Sequence, residues 1–186
     1  VLYTIGGRSE SKAPGSFKNP FGIACDNRGR MVVADCYNNR IQILDEKGCF
    51  IRMLESNHAT LPDETSSFHK PYHACIDRNQ HHQILVADTH SNRIQIWNGD
   101  GSELIKMISV SDNPRCLLID HASRLLSATD FYIEVFDLTT YKQMKSIGCK
   151  GNGPGQFDGA SGMCLTDENQ LIVSDCYNHR IQILAL

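Results

Sequence analysis

The sequence carries no excess of one charge, no long apolar run, no CxxC pair and a single tryptophan. Each absence removes a class. With 18 Lys+Arg against 21 Asp+Glu over 186 residues, the formal net charge is −3, so the strongly basic footprint of a dedicated nucleic-acid domain is missing. No apolar run approaches the roughly 18 residues that a membrane span needs. No segment of ten or more residues shows a helical period, which argues against a helical bundle. The zinc-knuckle spacing is absent. No GxSxG occurs, and nothing pairs a Ser or Cys with a His at local spacing, so nucleophilic catalysis has no signature. Gly151–Gly155 is glycine-rich but lacks the Lys and the strand-to-helix context of a phosphate loop. The chain opens on Val1 with no signal-peptide pattern and reads as a piece of something longer.

What is present is ordinary for a globular domain: 41% hydrophobic and 21% charged residues, enough for a core. The eight cysteines are Cys25, Cys36, Cys49, Cys75, Cys116, Cys149, Cys164 and Cys176. A chain this long does not need staples, and Cys25, Cys75, Cys116 and Cys164 lie in apolar, strand-like stretches where Cys acts as a small hydrophobe. Free thiols and a reducing, cytoplasmic setting are the expectation. Cys36 and Cys176 occupy matching positions in loops expected to be exposed.

Those matching positions belong to a repeat. Met31–Leu44, Ile84–Trp97 and Leu171–Leu184 each read as an apolar run, Asp, four residues, then Arg-Ile-Gln-Ile. A degenerate copy, Leu125–Phe136, has Thr129 in place of the Asp, a shorter loop and no Arg. Another apolar stretch precedes each copy, starting at Asn19, Lys70, Asn113 and Gly159, and a third follows at Cys49, Glu103 and Tyr141. Ile41 and Ile43 alternate with Arg40 and Gln42, the period of a strand with one buried face. The preceding runs are almost continuously apolar, as in a strand covered on both faces. Units of four short strands recurring every ~40–50 residues predict an all-β chain, a β-propeller with one blade per unit. The blades fall at about 20–54, 71–108, 114–147 and 160–186. The last lacks an outer strand, and residues 1–6 read as an outer strand with no blade before it. The four blades either close as a ring, with residues 1–6 completing the last blade, or form part of a six-bladed ring.

Asp175-Cys-Tyr-Asn-His179-Arg-Ile-Gln-Ile-Leu184 resembles the NHL repeat, whose pattern is a strand ending in Asp, then Asn-His or Asn-Asn, then Arg-Ile-Gln. Gly153–Phe157 and Pro14–Phe17 resemble its opening linker, and Asn19–Asp26 its first strand. The resemblance covers almost the whole chain and is weak only in the third unit. It implies a propeller, most often six-bladed, best known as the C-terminal module of tripartite-motif (TRIM) ubiquitin ligases. In that setting it implies a non-enzymatic platform that binds protein partners or ubiquitination substrates while an upstream RING carries the chemistry. The alternative is a propeller that binds single-stranded RNA, as several members of the TRIM–NHL branch do.

The Asp/Arg pairs Asp35/Arg40, Asp88/Arg93 and Asp175/Arg180 recur in three blades and flank one turn, which marks them as architecture. Phe17, Phe68 and Phe157 open their units at one position and read as inter-blade packing. His73 is the one His on an expected inner strand, so no axial metal set is expected, and no cofactor or catalytic residue either. The best functional surface is the rim formed by the inter-blade linkers and the turns between second and third strands, since binding residues favour loops on rigid scaffolds. Candidate partner-binding residues there are Arg8, Lys18, Tyr37, Asn38, Lys70, His90, Lys150, Tyr177, Asn178 and His179. Outside the motif the rim carries the cations Arg8, Lys12, Lys18, Lys70 and Lys150 against seven acidic residues, so the phosphate-binding half of an RNA site is thin.

Overall fold

The computed structural model describes residues 4–7, 10–54, 67–78 and 82–186. They form fifteen strands in four antiparallel sheets, each a meander of sequence neighbours. Blade 1 is β1 (Pro20–Cys25), β2 (Met31–Asp35), β3 (Arg40–Leu44) and β4 (Phe50–Met53). Blade 2 is β5 (Pro71–Ile76), β6 (Ile84–Asp88), β7 (Arg93–Trp97) and β8 (Leu104–Ser109). Blade 3 is β9 (Cys116–Ile119), β10 (Arg124–Ala128), β11 (Ile133–Asp137) and β12 (Gln143–Ile147). Blade 4 is β13 (Ala160–Leu165), β14 (Gln170–Asp175) and β15 (Arg180–Ala185), three-stranded among the described residues. The first strands β1, β5, β9 and β13 contact one another in succession. The molecule is thus a four-blade β-propeller, with the repeat units as its blades.

Local chemistry sets the strand boundaries. The loop closing β1 is held by Asp26, whose carboxylate accepts the N–H groups of Arg28 and Arg30 while Gly29 takes a positive φ. Asp120 does the same between β9 and β10 for Ala122 and Arg124. Such self-bonding by Asp is what makes it a turn former. Between the second and third strands, the chain makes a short 3-10 turn (Cys36–Asn38, Thr89–Ser91, Cys176–Asn178) and leaves it through a left-handed residue, Asn39, Asn92 or His179. The left-handed role thus falls on Asn39 and Asn92, whereas Asn38 and Asn178 close their turns with side-chain bonds.

The core lies between blades, where the facing sides of neighbouring sheets pack together. The junction of blades 1 and 2 packs Val32, Ala34, Ile41 and Ile43 against Phe68, Ile84, Val86 and Trp97. Leu85, Ala87, Ile94 and Ile96 meet Leu125 and Phe136 in the next junction. Leu126, Ala128, Ile133 and Val135 meet Phe157, Leu171 and Val173 in the third. Phe68 and Phe157 are the expected inter-blade wedges, while Phe17 is half-buried on the outer side of blade 1. Among the described residues no core joins blade 4 to blade 1, and Ile181 and Ile183 stay exposed. Part of the expected closing strand, residues 1–3, lies outside the described residues. Residues 4–7 are not a strand, and Ile5 packs beside Gly48 of blade 1.

All eight cysteines are free. One expectation about them changes. Cys36 is fully buried, and burial pushes its thiol up to about 11, whereas Cys176 is exposed. The turn of blade 1 is covered because blade 2 follows it.

Candidate recognition rim

The repeated Asp is a hub. Asp35 is fully buried and accepts bonds from the Lys18 backbone N–H (2.7 Å), the Asn38 amide (2.9 Å), Arg40 Nε (2.7 Å) and Gln42 Nε2 (3.2 Å). Arg40 then donates onward to the carbonyls of Lys12, Ala13 and Ser16, tying the inter-blade linker to the blade. Blade 4 repeats this with Asp175, Arg180 and Gln182, and Arg180 reaches the carbonyls of Asn152, Gly153 and Gln156. In blade 2, Asp88 takes the His69 N–H and the side chains of Arg93 and Gln95. Burial would raise the Asp175 carboxyl, but the bonds from Asp158 N–H, Asn178, Arg180 and Gln182 outweigh it and hold the group below its ordinary value. Blade 3 has Thr129 here, and its linker is held instead by Glu134 on the Ser111 N–H and by an Arg115–Asp130 ion pair. The Asp/Arg pairs therefore shape the rim and hold it.

Once these bonds are counted, the candidate residues divide. Asn38 and Asn178 have spent their amides on the hub and on the carbonyls of Ser11 and Gly151. Lys18 is paired with Glu10 at 2.8 Å. Arg8 lies outside the described residues. Tyr37 and Tyr177 are both exposed, and Lys70 Nζ stands 5.4 Å above the Tyr37 ring. Lys150 Nζ lies 4.7 Å over Phe131. His90 meets His69 edge-on at 5.1 Å. His179, left-handed and exposed, ends the blade 4 turn.

The structure adds residues that sequence reasoning had placed in strands. Phe21, Tyr72 and Arg115 occupy the same register at the start of their blades' inner strands, where those strands converge at the rim. The Phe21 and Tyr72 rings stack at 4.8 Å with planes 6° apart. Tyr72 also faces His90 at 6.2 Å, and the Arg115 charge acts on the Tyr72 and Tyr177 phenols. Gly22 permits the stack: a Cβ there would sit 2.6 Å from the Tyr72 carbonyl oxygen and from His73 Cα. The usable signal was the equivalent position, two residues after Asn19, Lys70 and Asn113, filled by Phe, Tyr and Arg.

These groups make one mouth of aromatic faces and cations, with Arg115 countered by Asp130. Burial first, then the charges of Lys70, His69 and Arg115, hold the His90 imidazole below its ordinary range, so it is neutral at pH 7. Burial raises the Tyr72 phenol, which stays protonated and able to donate. The arrangement suits recognition: rings for packing or stacking, cations for carboxylates or phosphates. Below the mouth, a cavity of about 580 Å³ is lined by Cys25, His73, Cys75, Leu117 and Met163 among others. Among the described residues no three His, Cys, Asp or Glu side chains converge as metal ligands. His73 Nδ1 instead accepts the Leu117 N–H at 3.3 Å.

Comparison with known proteins agrees with this geometry. A family model described as NHL repeat matches residues 157–184, which cover the linker and strands of blade 4. The chain is similar to protein brain tumor of Drosophila melanogaster, 27% identical over 113 residues, covering 60% of this chain and 10% of that protein. It is similar to protein lin-41 of Caenorhabditis elegans, 50% identical over 42 residues, covering 23% of this chain and 4% of that protein. NHL repeat-containing protein 2 of Gallus gallus is 25% identical over 128 residues, 66% of this chain and 17% of that protein. The chain thus spans less than a fifth of the length of each of these relatives. Among solved structures, hydrazine synthase of Kuenenia stuttgartiensis superposes with a TM-score of 0.67 at 12% identity, covering 99% of this chain and 53% of that one. A streptogramin B lyase superposes with a TM-score of 0.67 at 14% identity, covering 95% and 57%. At such identities the two structures speak for the fold alone. The family match falls on blade 4, and the same Asp–Arg–Gln hub is built in blades 1 and 2: the chain is a four-blade β-propeller that carries an NHL repeat in its blade 4.

Proposed function

We propose that this chain is a non-enzymatic recognition module that takes a protein partner at the rim mouth, as the substrate-selecting part of a TRIM-type ubiquitin ligase in the cytoplasm. The observation that carries the reading is the group of exposed Phe21, Tyr37 and Tyr177 around half-buried Tyr72, with half-buried Lys70 and Arg115 among them. Aromatics and Arg on a rigid frame are the residues that dominate protein interfaces when buried by a partner. The hubs supply that rigidity, since every linker residue they bind is fixed before a partner arrives.

The near-parallel Phe21–Tyr72 stack favours a second reading, single-stranded RNA, because exposed rings with nearby cations are how unpaired bases are held. Charge argues for the protein. Lys18 and Arg115 are already paired with Glu10 and Asp130, and RNA affinity leans on free Lys and Arg. Titration of short uridine-rich and mixed-sequence RNAs tests the choice. The expected affinity is no tighter than about 10 μM at physiological salt. Sub-micromolar binding that weakens on Tyr72→Ala overturns the protein reading in favour of RNA.

A further inference from the structure

The turns at the other end of the strands, away from the mouth, hold a cleft of about 290 Å³ where blades 1 and 2 meet, at a junction internal to the chain. Arg28 and Arg30 reach it from the loop between β1 and β2, Arg78 and His82 from the loop between β5 and β6, and Asp100 from the turn between β7 and β8. The Asp/Arg pairs of the hub recur from blade to blade, but these arginines do not. The place of Arg28 is taken by Ala122 in blade 3 and Glu168 in blade 4. The left-handed residue that follows each, Gly29, Ser123 or Asn169, fixes that alignment. The place of Arg78, directly after the residue that closes the inner strand, is taken by Asn27, His121 and Asp167. Repetition marks the hub as architecture, whereas a cluster built at one junction needs another reason.

Arg30 is the bracing member. Its Nε donates to Asp26 Oδ2 at 2.7 Å, and its Nη2 donates to the Gly99 carbonyl of blade 2 at 2.9 Å. Arg78 returns the exchange, donating through Nη2 to the Cys25 carbonyl of blade 1. Gly99 backs onto His82 so closely that a Cβ there would overlap the His82 carbonyl oxygen. The cleft is therefore held from both blades before any ligand arrives. Its two carboxylates are occupied. Asp26 takes Arg30 Nε and the N–H groups of Arg28 and Arg30, and Asp100 takes the N–H and the hydroxyl of Ser102. The Arg28 side chain has no ion-pair partner among the described residues, and Arg78 spends one nitrogen on a neutral carbonyl. Both arginines are exposed.

We propose that this cleft binds a phosphate group, with Arg28 and Arg78 clamping it from the two blades. Each guanidinium offers a planar fork of donors that matches a pair of phosphoryl oxygens. Two forks without carboxylate partners suit the near-double charge of a phosphate at neutral pH better than the single charge of a carboxylate. The volume lies at the small end for ligand sites, room for a phosphoryl group and the few atoms esterified to it. That chemistry is shared by free phosphate and by a phosphorylated side chain. The proposal does not rest on the rim mouth.

Titration of isotope-labelled protein at about pH 7 and constant ionic strength, read from the arginine Nε–H signals, tests it. Three probes are compared: inorganic phosphate, N-acetyl-phosphoserine amide and acetate. The expected result is saturable movement of the Arg28 and Arg78 signals by both phosphate probes, with a Kd of about 1 mM or tighter, and about tenfold weaker binding of acetate. Arg124, the counterpart of Arg30 in blade 3, should stay still. Arg28→Gln alters only an exposed side chain. It should weaken phosphate binding about tenfold or more and leave backbone amide signals outside its loop unchanged. Arg28→Lys keeps the charge but loses the fork, and should recover only part of the affinity. Tighter binding of the phosphoserine amide than of inorganic phosphate assigns the cleft to a phosphorylated side chain, and equal or weaker binding assigns it to free phosphate. Shifts that do not saturate, acetate bound as tightly as phosphate, Arg124 moving with the pair, or Arg28→Gln without effect each overturns the proposal.

Discussion

Blades 1 and 4 carry nearly the same sequence at their outer turn and third strand, Cys36-Tyr-Asn-Asn-Arg-Ile-Gln-Ile-Leu44 and Cys176-Tyr-Asn-His-Arg-Ile-Gln-Ile-Leu184. Both fold into a 3-10 turn, a left-handed residue and a strand paired in the same register, Asp35 opposite Arg40 and Asp175 opposite Arg180. Both build the Asp hub. Yet Cys36, Ile41 and Ile43 are buried, and Cys176, Ile181 and Ile183 are exposed. The motif dictates local geometry and hydrogen bonding, while burial depends on whether another blade follows. Every property that depends on burial should therefore split between the two blades, and every property that depends on the hub should be shared.

The largest effect should come from the hub. Asp35→Ala leaves Arg40, only 11% exposed, without its carboxylate and frees the Lys18 and Gln42 donors. Denaturant unfolding should show a loss of about 3–5 kcal/mol. Asp175→Ala should cost less, because Arg180 is 28% exposed and water can replace the lost partner. A hub that could be removed from blade 1 at no cost would end the view of the pair as architecture.

Next in size is the strand itself. Ile41→Ala opens a hole in the junction of blades 1 and 2 and should cost about 2–5 kcal/mol. Ile181→Ala, at a side chain already exposed, should change stability by no more than about 0.5 kcal/mol. Equal losses would mean that the blade 4 face is covered in the single chain.

Thiol chemistry sharpens the same contrast without a mutation. In dilute protein Cys176 should alkylate early, and Cys36, buried with its thiol raised to about 11, should react only through unfolding. Mass spectrometry of the labelled peptides reads the order directly. Similar rates would contradict the burial assigned to Cys36.

A smaller effect concerns acid. Burial holds the His73 imidazole below its ordinary 6.5, so folding favours the neutral ring, whose Nδ1 accepts from the Leu117 N–H. The unfolded chain therefore binds more protons, and stability should fall as pH drops from about 6.5 toward the lower folded value. The equivalent inner-strand positions in blades 1 and 4 are Gly22 and Gly162, which cannot titrate. His73→Gln should flatten that part of the pH–stability curve. An unchanged slope would assign it to other groups.

Much of this architecture could be read from the sequence. The third strands Arg40–Leu44 and Arg93–Trp97 follow from strict alternation after the Asp, and the structural role of the Asp/Arg pairs follows from their repetition. Inner strands begin a residue or more early in blades 1, 2 and 4, because Pro20, Pro71 and Ala160 pair opposite Asp35, Asp88 and Asp175 across a bulge that leaves no mark in local sequence. The burial of Cys36 and the Phe21–Tyr72–Arg115 mouth were illegible for a common reason. Both depend on how neighbouring blades approach, and alternation within one strand reports only its own two faces. The candidate Asn38 and Asn178 were chosen for their turn, but a turn residue can be used up by the turn it makes.

The central claim, that the rim mouth is where a protein partner docks, is tested most directly by site-specific photocrosslinking. A photoreactive phenylalanine analogue placed at Tyr72, on the mouth, is compared with one at Arg28, in the loop between β1 and β2, within the full-length parent protein in its own cells. The account predicts discrete protein adducts from position 72 that disappear when Arg115→Ala is added, and none of the same mass from position 28. Adducts that are RNA, or the same protein adducts from both positions, would contradict it.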